Sequence, residues 1–417
     1  MKRGRECGRG LQAKTARAVR VLCLLAIAGC TIARSSAQSP KPSHRGTEQK
    51  LVYVGTYTKF TPNGISDGLP PSKGIYMARF NPADGSFGPL TLAAPLKESS
   101  FMAVTRDHRF LYAISEAVPE AYVAAYAIDP KTGALRLLNR LPTGGSQTCF
   151  IALDRTEKNV LMASYGSGSI SVIHLEPDGS LGELTSFVQH MAPARARADD
   201  APHPHEMVPS PGNHFIVNPD LGLNKLFVYR FDPATGTLDL PASIVDLPPN
   251  EGPRHFVFSK DGRFGYLIAQ TTGHVLVFTW NEAEGKLSLI QVVPTTPPGL
   301  EATNLSAEIQ LTPDGRFLYE SNRRSSDAGR KLGPDSIVGF RINPETGKLT
   351  QAEELALGDD VPRFFMIDSS GRYLLEAGQQ VNRINVYRIA GQTGKLTKVA
   401  QSGYVHMPVC LLMIPAP

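Results

Sequence analysis

The stretch LFVYRFDPATGTL, Leu226–Leu238, reads as a strand, a turn carrying Asp232-Pro233 and Thr235-Gly236, and the start of a second strand. Its aromatic and β-branched run stops at Asp232, and Gly236 is the residue a tight reversal favours. The phrase recurs at Gly74–Phe87, Val123–Leu135, Ile170–Leu181, Val275–Leu287, Ile337–Leu349 and Ile384–Leu396, seven copies in all. A repeat of this kind implies an array of like units, each burying its faces on its neighbours.

A second phrase lies between the copies. Its clearest forms are HFVFSKDGRFGYLIAQ (His255–Gln270) and EIQLTPDGRFLYESN (Glu308–Asn322), with others at Phe101–Ser115, Phe150–Ser164, Glu206–Asp220 and Phe364–Gly378. Each reads as two strands joined by a tight hairpin turn. The two phrases together give four antiparallel strands per unit of roughly 45–60 residues, which is a propeller blade. No apolar run keeps a helical period, so the chain is predicted to be an all-β, seven-bladed β-propeller with four-stranded blades. LVYVGTY (Leu51–Tyr57) matches a second strand with no first strand before it, and VHMPVCLLMIPAP (Val405–Pro417) matches a first strand with nothing after it. Pairing them closes the ring: the C-terminal strand joins the N-terminal blade and no sheet edge is left open.

Residues 1–37 read as a secretory signal peptide: a basic start, an apolar centre at Val21–Ala33, and a Ser35-Ser36-Ala37 exit. A second reading takes Ile27-Ala28-Gly29-Cys30 as a lipobox, with a lipid anchor at Cys30. Either way the protein is expected to be exported, to the periplasm, without a membrane span, since the apolar run is too short. Residues 38–50 are a polar, flexible lead-in, and residues 51–417 form the propeller. The first 37 residues hold a net charge of +7, so their removal takes the formal charge from +5 to −2. Nucleic-acid binding thereby loses its main support. Removal also leaves only Cys149 and Cys410, both in apolar β runs, which read as small buried hydrophobes and not as a disulfide framework.

In a propeller, residues leading into first strands and those leaving second strands crowd one mouth of the central funnel, a concave place for a ligand. The former are Ser99-Ser100, Gln147, His203 to Glu206, Pro253 to His255, Ala307-Glu308 and Pro362-Arg363. The latter are Ser115-Glu116, Tyr165, Asp220, Gln270, Asn322 to Arg324 and Gln379-Gln380. His203 and His205, separated by Pro204 in extended chain, point to one side, but no third metal ligand stands at a characteristic spacing, so no metal is assigned. Arginines facing a funnel suit an anionic group, although inter-blade ion pairs would use them too. The chain has no Gly-x-Ser-x-Gly elbow, and its single tryptophan, Trp280, sets it apart from propellers with repeated tryptophan docking.

HPHEMVPSPG, GPRHFVFSKDGRFGY, AEIQLTPDGRFLYESNR followed by DSIVGFRI, and VPRFFMIDSSGRYLLEAG resemble the bacterial lactonase family over Leu51 to Met413. That family includes the propeller type of 6-phosphogluconolactonase and is related to the fungal muconate lactonizing enzyme. The resemblance implies a seven-bladed propeller and hydrolysis of a sugar or organic-acid lactone, without a cofactor. It also implies catalytic roles for His205, Arg254 and Arg323; from their places at the same mouth, His203, Glu206, His255, Gln270, Glu308, Asn322 and Arg363 are expected to bind substrate. The muconate branch has a glutamate where this chain has Gln270, which cannot exchange a proton. The alternative reading is a non-catalytic exported propeller that binds a carbohydrate or a protein partner.

Overall fold

The hairpin phrases form the inner two strands of each blade, and burial follows from that position. The protein is described by a computed structural model over residues 49–59, 70–192, 201–296, 304–324, 334–358 and 360–417. The expected signal peptide and nearly all of the lead-in lie outside the described residues. Second strands such as Asn159–Ser164, Phe264–Ala269 and Tyr373–Gly378 are buried along their whole length, because each face meets an adjoining blade. Fourth strands such as Thr237–Asp246 and Lys286–Pro294 alternate, with one face toward solvent. Their sequences differ accordingly: continuous apolar runs inside, interrupted ones outside.

The described strands make seven antiparallel sheets arranged as a seven-bladed β-propeller. Six sheets have four strands; the fourth strand of the first blade is divided into Ser86–Phe87 and Thr91–Pro95, giving that sheet five. The chain ends close the ring as expected. Pro408–Pro415 pairs antiparallel with Lys50–Thr56, in register from Lys50↔Pro415 to Gly55↔Cys410, with a bulge before Thr56↔Pro408. We number this sheet blade 1 and the others in chain order. The first strand of blade 4 is short, Val208–Pro209. Apolar packing is divided among inter-blade interfaces, for example Leu267, Leu276 and Phe278 of blade 5 against Val217 and Val228 of blade 4. No helix among the described residues is long and apolar enough to cross a membrane.

The glycine of the repeated phrase does more than turn the chain. All seven, Gly85, Gly133, Gly179, Gly236, Gly285, Gly347 and Gly394, have φ between 63° and 84°. These turns seat against the second strand of the preceding blade. Tyr53 Oη donates to the Gly133 carbonyl at 2.6 Å, Tyr112 to Gly179 at 2.9 Å, Tyr266 to Gly347 at 3.1 Å and Tyr319 to Gly394 at 2.5 Å. A Cβ on Gly347 would stand 2.4 Å from Phe264 Cδ1, so both the left-handed backbone and the close approach require glycine there. Arginines of the hairpin turns add a second tie: Arg263 Nη2 donates to the Pro344 carbonyl at 2.6 Å and Arg372 Nη2 to that of Pro82 at 3.0 Å.

Candidate active site

Innermost strands carry bulges near one mouth, and several of the residues that reach the funnel stand in them. In blade 5 Pro253 pairs with Ala269 and His255 with Ile268, leaving Arg254 without a partner. Blade 7 repeats this around Arg363, blade 3 around Cys149, and blade 6 around Ala307 and Glu308. A bulge adds a residue to one strand and re-aims its side chain. That is how residues from distant blades converge here.

His205 arrives differently. Its segment extends the short first strand of blade 4 along the end of the second: His205 N donates to the Pro219 carbonyl at 2.9 Å, and Leu221 N to that of His203 at 3.0 Å. Asp220, fully buried, supports the segment from beneath. It accepts from His203 N at 2.9 Å and from Leu223 N at 3.0 Å, and contacts His190 Nδ1 at 2.6 Å. His190 Nε2 lies 2.8 Å from Tyr229 Oη. Asp220 is thus turned away from the funnel.

The His205 ring meets His255 edge-on at 5.1 Å between centroids and Tyr165 at 5.8 Å. Cys149 Sγ lies 3.8 Å from its Nδ1. Burial, then Arg254, His255 and Arg363, holds His205 well below the usual histidine range. His255 is held low by burial and by Arg254, Arg363 and Arg323. Both rings are therefore held neutral at pH 7, each with one unprotonated ring nitrogen.

Arg254 is 2 % exposed, donates through Nη1 to the Ala307 carbonyl, and stands 3.3 Å from both ring nitrogens of His255. Its Nε has no hydrogen-bond partner. Burial and Arg363 push it down to about 10, with Glu308 opposing. Arg323 donates from Nε to the Leu305 carbonyl at 2.9 Å and from Nη2 to Gln270 Oε1 at 3.1 Å. Burial, Arg254 and Arg363 likewise press it downward. Guanidinium groups remain charged in proteins, so both stand buried first and crowded by other cations second, a state that an anionic or carbonyl oxygen would relieve.

Arg363 forms the other wall. Its Nη2 is 3.5 Å from Glu116 Oε2, which also accepts from Tyr57 Oη at 2.9 Å, and its guanidinium lies 5.5 Å from the Tyr57 ring centroid. Glu308, 5 % exposed, accepts from Ile309 N through Oε1 at 3.1 Å, and its Oε2 lies 3.3 Å from His255 Nδ1. Burial pushes it up to about 8, against Arg254. Phe101, Phe150 and Phe364 floor the site, with Phe101 and Phe150 edge-on to His255 at 6.0 and 5.8 Å.

Of the sequence-derived residues, His205, His255, Arg254, Glu308, Arg323, Gln270 and Arg363 are linked in one mouth by these contacts. His203 lies on the rim, stacked on Tyr165 at 4.2 Å and bonded to its carbonyl at 2.8 Å through Nδ1. Glu206 is turned under the site, where its carboxylate accepts from Phe256 N and joins blade 4 to blade 5. Asn322 is fully buried within blade 6, bonded to Asn304, Ser306 and Glu320, each at 2.7 Å, and not presented to the funnel. Its mouth-facing neighbour is Arg323, one residue on. Tyr57, Cys149 and the phenylalanine floor escaped sequence reading because each looks like core. Tyr165 and Glu116 follow second strands, the one signal that marked them.

Fold and site together define a seven-bladed propeller with a cationic, histidine-bearing funnel. The family described as "Lactonase, 7-bladed beta-propeller" matches residues 51–413, and the chain belongs to it. It is 29 % identical to a 6-phosphogluconolactonase of Bacillus subtilis, over 87 % of this chain and 97 % of that protein. A 6-phosphogluconolactonase of Formosa agariphila is 30 % identical over 85 % and 97 %. Among solved structures, the periplasmic gluconolactonase of Pseudomonas aeruginosa superposes with a TM-score of 0.79 at 28 % identity, covering 88 % of this chain and all (100 %) of that one.

Proposed function

We propose that the protein is a lactone hydrolase, a carboxylic-ester hydrolase that opens an unphosphorylated sugar lactone or a related organic-acid lactone outside the cytoplasm. The observation that carries this is the neutral His205 held in the same mouth as the two crowded guanidinium groups of Arg254 and Arg323. His205 accepts a proton from water as the water oxygen attacks the lactone carbonyl carbon. Arg254 and Arg323 hold the oxyanion that forms, where fixed donors in a water-poor site act most strongly. Collapse breaks the ring C–O bond and releases a hydroxy acid. Residues 1–37 act as the export signal in this reading, and sugar phosphates are cytosolic, which favours the unphosphorylated substrate. The related periplasmic gluconolactonase supports the same choice.

Gln270 favours a second reading, a propeller that binds a carbohydrate without turning it over. Hydrolysis of gluconolactone and 6-phosphogluconolactone, followed by pH-stat on the chain from Gln38 onward, separates the two. Turnover above buffer, faster on gluconolactone, is the expected result. Saturable gluconolactone binding without turnover would establish the second reading.

A further inference from the structure

Opening a sugar lactone produces an alkoxide at the departing ring oxygen, and that oxygen needs a proton. Gln270 cannot give one, and its Oε1 is already engaged by Arg323 at 3.1 Å. Arg254 and Arg323 hold their protons too tightly to serve. Tyr57 Oη already donates to Glu116 and is pushed well up by burial, and the two proton carriers set side by side on first strands at the mouth are His255 and Glu308.

Their geometry is specific. Glu308 is one of the bulged residues of blade 6, opposite Ser321, so its side chain is delivered toward blade 5. Glu308 Oε2 is fully buried, has no hydrogen-bond partner and lies 3.3 Å from His255 Nδ1. A buried carboxylate oxygen left unpaired is costly, because it has given up water and gained no donor. A proton on Oε2 directed at Nδ1 removes that cost and leaves His255 with its hydrogen on Nε2. His255 in turn touches His205, with 5.1 Å between ring centroids.

We propose that His255 is the general acid of this site and that Glu308, acting through it, supplies the proton. The inference rests on the lactone-hydrolase reading. As the ring C–O bond breaks, His255 Nε2–H passes its proton to the departing oxygen. Nδ1 takes the Glu308 proton, leaving a carboxylate. The proton that His205 took from water then returns to Glu308 across the two adjoining rings, and the site is restored. No other reactant is needed.

Charged groups around Glu308 agree with a proton donor poised near neutrality. Arg254 beside it and Arg363 from blade 7 favour the carboxylate, whereas burial opposes it and holds the group up at about 8. Glu206, from blade 4, is itself pushed well up by burial and by Glu308. Cys410 on the closing strand is pushed up as well, mainly by burial. Cys149 is held at about 12 by burial, so neither thiol competes as a proton source.

The test is Glu308→Gln, of matching size, compared with wild type on gluconolactone and on dihydrocoumarin, whose phenolate departs without a proton. The expected result is a kcat loss of about 10²-fold or more on gluconolactone, little loss on dihydrocoumarin, and disappearance of the alkaline decline in rate. Infrared spectra should show a protonated carboxyl band in wild type at pH 7 that the variant lacks. Equal losses on both lactones, or an unchanged kcat and pH profile beside an active wild type, would overturn the inference alone. A wild type that opens neither lactone would remove the hydrolase reading and the inference with it.

Discussion

Arg323 reaches from blade 6 to blade 5, where its Nη2 donates to Gln270 Oε1 at 3.1 Å. A neutral partner orients the guanidinium without cancelling its charge, so Arg323 stays available to an oxygen of the substrate. A glutamate at this position would bring the opposite charge.

Gln270→Ala should therefore loosen Arg323 and not remove it. The expected effect on gluconolactone is a KM raised about three- to tenfold, the value of one lost hydrogen bond, with a smaller change in kcat. Steady-state kinetics of the purified variant checks this.

Stability should depend on pH with two opposed slopes. His205 and His255 are held below the ordinary histidine value in the folded protein. The unfolded chain therefore takes up protons that the folded one declines as pH falls below about 6.5, and stability drops there. Glu308 has the reverse sign, since its folded value of about 8 lies above the ordinary 4.5. Its contribution is complete below 4.5 and is lost as pH rises toward 8. Glu206, Glu320 and Glu376, all pushed up chiefly by burial, act in the same direction. Between pH 5 and 6.5 the two effects overlap and the four raised carboxyls outweigh the two histidines, so melting temperature measured from pH 5 to pH 9 should fall as pH rises, and less steeply in Glu308→Gln.

The inter-blade joints can be tested by a matched pair of substitutions. Gly347→Ala meets both a φ of 70° and Phe264 at 2.4 Å, whereas Gly315→Ala meets a φ of 74° with nothing nearer than Lys260 Cβ at 3.7 Å. Backbone strain alone costs about 1 kcal/mol, and the clash adds about 1–3 kcal/mol, so Gly347→Ala should be the less stable in chemical denaturation.

Cys149 and Cys410 are free and buried, and burial holds the Cys149 thiol at about 12. The folded chain from Gln38 onward should resist alkylation at pH 8, and should take up two labels per chain once denatured, as its two cysteines require.

The scaffold was legible because its signals are local. A glycine that must adopt positive φ, such as Gly236, announces each turn, and the unmatched ends at Leu51 and Pro408 announce closure. The site was legible through strand order, which put His205, Arg254 and Arg323 at one mouth, and through the family motifs that contain them. What strand order could not supply was the aim of each side chain. Arg254, Glu308 and Arg363 point inward because bulges shift the register by which they would otherwise pair, and no residue type marks those bulges. Asn322 failed for the complementary reason: adjacent to Arg323 in sequence, it belongs to the opposite face of the strand. Cys149 looked like core and is core, yet it also packs on His205.

The most direct measurement is the pH-stat rate of gluconolactone opening by wild type, His205→Ala and Arg254→Ala, with folding of each checked by circular dichroism. The expected result is wild-type turnover well above buffer, with losses of about 10²-fold or more in both folded variants. Rates for folded wild type and both variants that equal one another and do not exceed buffer would contradict the assignment of lactone hydrolysis to this site.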